Sequence, residues 1–212
     1  MEVNDELWDA IVFGERDVVI EIVEELVKDN VDVVGLLNTT MIPALREVGN
    51  QFSRNEVFIP EMLVAAKAMQ GGMDIIEPLL VQSGREPVAR VCIGSVKGDL
   101  HDIGKNLVVM MLKGSGFEVD DIGVDCRIDD YQAAVDRGAD VVCLSALLST
   151  TRDEMRPVIQ HFSGRNDIRI VVGGAAITPE FAAQIGAHEF GVDASDAVRA
   201  VRSSLGLDAA SA

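Results

Sequence analysis

Apolar residues up to about position 84 recur with a helical period. Val19, Ile22, Val23 and Leu26 form one stripe at i, i+3, i+4, i+7, with Asp17 placed as the N-cap. Asn4 or Asp5 caps a shorter helix that holds Leu7, Trp8 and Ile11 and stops at Gly14. A third stretch runs through Ile42, Leu45, Val48 and Phe52, and tolerates Pro43 only in its first turn. Pro60, at a first helical position, opens a stretch with Leu63, Ala66, Met69, Met73 and Ile76. Gly71-Gly72 should weaken or bend that helix. With no strand-like run among them, these residues predict a bundle of four or five helices.

Ser83-Gly84-Arg85-Glu86-Pro87 reads as a linker, dividing a helical domain (1–85) from a second domain (86–212). Beyond it, short apolar runs alternate with amphipathic ones. The strand candidates are Val88–Ile93, Phe117–Ile122, Val141–Ser145, Ile168–Val172 and a weaker Ala187–Phe190. Helical candidates lie near Asp102–Gly114, Ile128–Arg137, Arg152–Phe162, Pro179–Ile185 and Ala194–Leu205. Regular βα alternation predicts an α/β domain with a five-stranded, doubly wound parallel sheet of the Rossmann-like, flavodoxin-like kind.

Composition narrows the function classes. Hydrophobic residues make up 48% of the 212 but aromatics only 4%, which favours helices and buried parallel strands over a β-sandwich. The net charge is −17, with 6 basic and 16 acidic residues in 1–85 and 12 and 19 in the remainder. Neither half offers the basic surface that nucleic acid or an anionic membrane needs. The acidic start, Met1-Glu2-Val3-Asn4-Asp5-Glu6, lacks a signal-peptide pattern, and no run is long enough to span a membrane. Cys92, Cys126 and Cys143 are widely spaced, as expected of a reduced, cytoplasmic protein, and Cys92 and Cys143 read as packing residues.

Three strand exits carry unusual loops. Gly94 to His101 is too long for a tight turn and exposes His101, two residues after Asp99, just before a helix. Alone, a loop histidine reads as a cap or a solvated residue. Ser145-Ala146-Leu147-Leu148-Ser149-Thr150-Thr151 crowds four hydroxyls at the next exit, and some of them should cap the helix near Arg152. Gly173-Gly174-Ala175-Ala176 either makes a turn or admits a close approach to the backbone. No GxGxxG or Walker loop is present, and no second histidine or carboxylate falls at zinc-site spacing. His161 and His188 read as structural. A metal at His101 would have that one protein ligand and would arrive with its own macrocycle.

Gly98-Asp99-Leu100-His101-Asp102-Ile103-Gly104-Lys105-Asn106 matches the DxHxxG signature of cobalamin-binding domains. Ser145-Ala146-Leu147 matches that family's SxL element and Gly173-Gly174 its GG element. The segments Gly49-Asn50-Gln51-Phe52 and Phe58-Ile59-Pro60-Glu61 resemble the helical cap of methyl-transferring cobalamin proteins. Over essentially its whole length, the chain resembles the small corrinoid proteins of three-component methyltransferase systems and the cobalamin-binding module of methionine synthase.

The resemblance implies a cobalamin or related corrinoid bound with its own base displaced and His101 as the lower axial cobalt ligand. Asp99 would hold the other ring N–H, with Thr151, in place of the serine often found there, supplying a further hydroxyl. Gly98, Asp102, Ile103, Gly104, Ser145, Leu147, Ser149, Gly173 and Gly174 would line the cofactor and the slot for its tail. Phe52 and Ile59 would cover the upper, methyl-bearing face, and the linker would act as a hinge. The implied role is a non-catalytic methyl carrier of anaerobic one-carbon metabolism. A substrate:corrinoid methyltransferase would load it, and a corrinoid:tetrahydrofolate or coenzyme M methyltransferase would unload it. A reductive activase would serve it. The donor is open among methanol, methylamines, betaines and aryl methyl ethers. A mutase subunit is disfavoured by the cap, and a DNA-binding regulator by the acidic first half. A storage role is also compatible with the residues.

Overall fold

The structure of the protein is a computed structural model that describes residues 2–82 and 87–207. Of the expected linker, Ser83 to Glu86 lie outside the described residues, as does the Ala/Ser-rich tail. The chain forms two compact units. One comprises the chain up to Pro87 with Met110–Gly116, the other Val88–Val109 and the chain from Phe117 onward.

The first unit contains α1 (Asp5–Val12), α2 (Arg16–Lys28), α3 (Val33–Leu36), α4 (Ile42–Ser53) and α5 (Ile59–Gln82). Asn4 caps α1 by accepting the Leu7 N–H at 2.8 Å. Its own N–H donates to the hydroxyl of buried Thr40 at 3.1 Å. Asp17 is not the cap of α2: the helix begins at Arg16, and Asp17 lies in the first turn, where its charge complements the helix dipole. Leu7, Ile11, Val19, Val23, Leu45, Met62, Met69 and Ile76 form a buried core. Each large apolar side chain removed from water there contributes about 1.5–3 kcal/mol.

One expectation holds here and one fails. Pro43 lies in the first turn of α4, where a residue without an N–H is tolerated. A wide π turn, Leu37–Met41, joins α3 to α4, and the Ile42 N–H reaches back five residues to the Leu37 carbonyl. The widened turn accommodates a residue that lacks an N–H and crowds the carbonyl four positions earlier. Gly71-Gly72 leave α5 unbroken from Ile59 to Gln82. They serve packing instead: a Cβ on Gly72 would lie 2.8 Å from Met41 Cε and 3.1 Å from Val19 Cγ1, so the pair lets α2 approach α5 closely.

The second unit is built on β1 (Arg90–Val96), β2 (Glu118–Cys126), β3 (Val141–Ser145), β4 (Arg169–Gly173) and β5 (Glu189–Gly191). All pairs are parallel, in the order β2-β1-β3-β4-β5. The helices are α6 (Ile103–Gly114, whose end from Met110 groups with the first unit), α7 (Ile128–Asp136), α8 (Met155–Phe162, after a 3₁₀ turn Arg152–Glu154), α9 (Pro179–Ile185) and α10 (Ala194–Ser204). This is the doubly wound α/β fold expected from the alternating pattern. Cys92, Val142, Leu144, Val172, Tyr131, Met155 and Phe162 belong to its core, and Tyr131 donates its hydroxyl to the Gly94 carbonyl at 3.1 Å. β1 runs on to Val96, so Gly94 and Ser95 are buried strand residues and not part of the loop. The strand order reverses between β1 and β3, and in such sheets ligands bind beyond the carboxyl ends of the strands at that point.

Candidate functional site

The loop leaving β1 carries Asp99 and His101. Gly98 begins it at φ 80°, a left-handed turn that suits glycine, and the Asp99 N–H closes the turn onto the Val96 carbonyl at 2.9 Å. The Asp99 side chain is fully buried. Its Oδ1 accepts the His101 backbone N–H at 3.0 Å and faces the imidazole Nδ1 at 2.8 Å. Its Oδ2 accepts the Leu147 N–H at 2.8 Å and the Thr151 hydroxyl at 2.7 Å. Burial alone would raise the Asp99 pKa. The bonds from Thr151, from the His101 backbone and ring, and from Leu147 outweigh it and hold the carboxyl well below the usual carboxylate range. An ionised Asp99 calls for a proton on His101 Nδ1, which leaves the lone pair on Nε2. The imidazole is half exposed, and its Nε2 makes no hydrogen bond among the described residues.

Asp99 thereby joins the exits of β1 and β3. The exits of β3 and β4 meet as well: Ser145 pairs with Gly173, and the Ala146 N–H donates to the Gly173 carbonyl at 3.2 Å. Gly174, at φ 114°, packs so tightly on the Ala146 backbone that any Cβ would collide with the Ala146 carbonyl oxygen. The three sequence motifs are therefore hydrogen-bonded neighbours at the carboxyl ends of the strands. The hydroxyls after β3 do not cap the next helical turn. Thr151 occupies the cap position without a side-chain cap bond, because its hydroxyl is committed to Asp99.

The other named residues lie around this network or apart from it. Asp102 precedes α6 and accepts from the Asn106 side chain at 3.2 Å. Ile103 is 81% exposed, and a Cβ on Gly104 would meet nothing within 4 Å. Ser145 is half-buried, while Leu147 and Ser149 are exposed. Phe52 and Ile59 belong to the first unit: Phe52 is partly buried on α4 and Ile59, exposed, opens α5. His161 bonds Gln132 at 2.7 Å, and His188 Nδ1 accepts the Ile170 N–H at 2.9 Å, so both histidines are engaged structurally. The three cysteines are buried and unbridged, and burial pushes the Cys92 thiol up to about 12.

Several participants were not legible as site residues. Ser95, fully buried, donates to the His101 carbonyl at 2.6 Å. The Leu147 backbone N–H, unlike its side chain, carries no sequence signal. Lys105 and Asp121 pair at 2.5 Å with Lys105 only 3% exposed, and the one hint of this was the flanking GKN of the first motif.

These residues suit a large apolar group bearing a metal. Nε2 of a held imidazole is a good ligand for a transition metal. Among the described residues, no three His, Cys, Asp or Glu side chains gather into a site able to hold a metal ion. A metal at His101 therefore needs ligands from a group of its own. Leu100, Ile103, Leu147 and Leu148 offer exposed apolar surface beside His101 and its hydrogen-bond partner, and the open face at Gly104 leaves room.

Comparison with known proteins agrees with this chemistry. A B12 binding domain model matches residues 89–202, and a second B12 binding domain model matches residues 3–77. A corrinoid protein of Desulfitobacterium hafniense (strain Y51) is 32% identical, covering 97% of this chain and 99% of the relative. Trimethylamine corrinoid protein 1 of Methanosarcina acetivorans is 34% identical, covering 93% and 94%. Among solved structures, the methanol:cobalamin methyltransferase complex of Methanosarcina barkeri superposes with a TM-score of 0.81 at 25% identity, covering 95% of this chain and 78% of that one. The chain belongs to the family of corrinoid proteins built on B12 binding domains.

Proposed function

We propose that the protein is a methyl carrier, loaded by a substrate:corrinoid methyltransferase and unloaded by a second methyltransferase that uses tetrahydrofolate or coenzyme M. A bound corrinoid supplies a cobalt able to accept and release a methyl group. Everything else is the work of this chain: holding the cofactor, orienting one axial ligand and excluding water. The observation that carries the reading is the buried Asp99 bonded to Nδ1 of His101, with Nε2 left unpartnered. We assign His101 Nε2 as the lower axial ligand. The carboxylate orients the ring, and Thr151 and Leu147 orient the carboxylate. Gly98, Asp102, Ile103 and Gly104 would lie along the cofactor. Ser145, Leu147, Gly173 and Gly174 would line the slot for its tail, and Ser149 would contact the cofactor.

On sequence resemblance, Phe52 and Ile59 are assigned to the apolar cover of the methyl-bearing face, and a reductive activase to the set of partners. The relatives named for trimethylamine and methanol systems make simple methylated compounds the donors to test first. A reducing cytoplasm suits three buried, unbridged cysteines. The test reconstitutes the protein with hydroxocobalamin, reduces it, and mixes it with substrate-specific methyltransferases for methanol, methylamines, betaine and aryl methyl ethers. One donor–enzyme pair should convert the reduced spectrum to that of the methylated cofactor. A protein that binds the corrinoid yet stays inert with every pair would contradict the carrier reading and favour storage.

A further inference from the structure

The edge strand β2 does not end as a regular ladder. Its register with β1 shifts between Ile93 and Gly94 and again between Gly94 and Val96. Its last residues turn through Gly123 at φ 91° and Asp125 at φ 53°. A non-glycine residue in the left-handed region needs support, and aspartate is among the few that tolerate it. The support comes from the loop that carries Asp99. Asp125 Oδ1 accepts the Gly98 N–H at 2.6 Å, and the Asp125 N–H donates to the Asp99 carbonyl at 3.0 Å. Four residues earlier on the same strand, Asp121 accepts from Lys105 Nζ with both oxygens, at 2.5 and 2.6 Å, and from the Gly123 N–H at 3.0 Å. Lys105 lies in the first turn of α6. The segment holding His101 is thus tied to β2 on both sides, through Gly98-Asp99 before it and Lys105 after it.

We propose that Asp125 is a positioning residue for the axial histidine, with the Asp121–Lys105 pair as the second anchor of the same clamp. The inference rests on the reading of His101 as the cobalt ligand. The Asp99 carboxylate orients the imidazole, but that orientation is only as definite as the backbone from which Asp99 projects. Leu147 and Thr151 hold the carboxylate from the β3 side, and Asp125 holds the backbone from the β2 side. A ligand atom displaced by a fraction of an ångström binds its metal less well, which is why groups behind a metal ligand matter to affinity.

Three variants separate the contributions. Asp125→Gly removes the acceptor and relieves the backbone. Asp125→Ala removes the acceptor and keeps the strain. Asp125→Asn keeps an acceptor and tolerates the conformation. In the cofactor-free protein, the Gly98 amide should exchange with solvent ~10-fold faster in the Gly and Ala variants than in wild type, with the Asn variant close to wild type. With hydroxocobalamin, the Kd of the Gly and Ala variants should rise ~10-fold, the low end of the 10–100-fold seen when groups behind metal ligands are removed. After reduction to cobalt(II), their electron paramagnetic resonance spectra should lose part of the axial-nitrogen splitting.

A Gly variant with wild-type Gly98 exchange, or with lower thermal stability but full nitrogen splitting and unchanged Kd, overturns the inference and leaves the His101 reading standing. Wild-type protein that binds hydroxocobalamin without nitrogen splitting overturns both.

Discussion

Asp99 gathers four hydrogen-bond donors around one buried carboxylate, and its charged state depends on all of them. Removing one donor leaves a buried charge undersatisfied, which costs about 1.5–3 kcal/mol. Thr151→Val, similar in shape but lacking the hydroxyl, should therefore lower the unfolding free energy of the cofactor-free protein by about 2 kcal/mol. Thr151→Ser should stay within about 1 kcal/mol. Urea unfolding followed by circular dichroism measures both, and a Val variant as stable as wild type would contradict the account. At this scale the sequence was readable where chemistry is tied to local spacing. Asp99 and His101 lie two apart, and the geometry of a short loop lets the carboxylate reach its neighbour's ring. Thr151, 52 residues from Asp99, has no such spacing, and the roles of all three came from the resemblance. Asp125 and Ser95 were invisible, because a lone exposed aspartate or a serine inside a strand has no pattern that marks what will face it.

At the scale of elements, hydrophobic period placed every strand and all the helices of the α/β domain to within a few residues. Period records which positions face the core, and that is settled locally. It missed what depends on neighbours packing closely. Gly71-Gly72 read as a helix interruption because sequence cannot reveal that α2 lies against that face. The π turn Leu37–Met41 went unseen because such a turn has no composition of its own. β5, three residues long, is held partly by His188, whose N–H donates to the Ile170 carbonyl and whose Nδ1 accepts the Ile170 N–H, each at 2.9 Å.

Burial, aided by the Arg169 charge and opposed by Glu189, lowers the His188 pKa from its ordinary 6.5. Below that value the unfolded chain takes up a proton that the folded chain resists, so the unfolded state binds more protons. Stability then falls as the pH drops from 6.5 toward the lower folded value and is insensitive to His188 above 6.5. His188→Asn retains an acceptor but cannot titrate. Its urea midpoint should fall less than that of wild type between about pH 7.5 and about pH 5.5. Equal falls would remove His188 as the cause.

For the whole molecule, the net charge of −17 is spread over both halves of the sequence. Such an excess would steer a complementary basic partner surface, an effect on association rate more than on affinity. Raising salt from about 50 mM to about 300 mM should slow the second-order step of methyl transfer with a partner methyltransferase several-fold. A flat salt profile would argue that docking rests on apolar contact instead.

Family membership was legible in three short motifs, but their meaning lay in topology: the order β2-β1-β3-β4-β5 brings the first motif and the SxL element to the sheet's point of reversal, with the GG element beside them. We propose His101 Nε2 as the protein's ligand to the corrinoid cobalt. This assignment is tested most directly by the visible spectrum and cobalt(II) paramagnetic resonance of the hydroxocobalamin complex in wild type and His101→Ala. Wild type should show a displaced cofactor base with one protein nitrogen coupled to cobalt, and the variant should lose that coupling. Identical spectra for the two proteins would contradict the assignment.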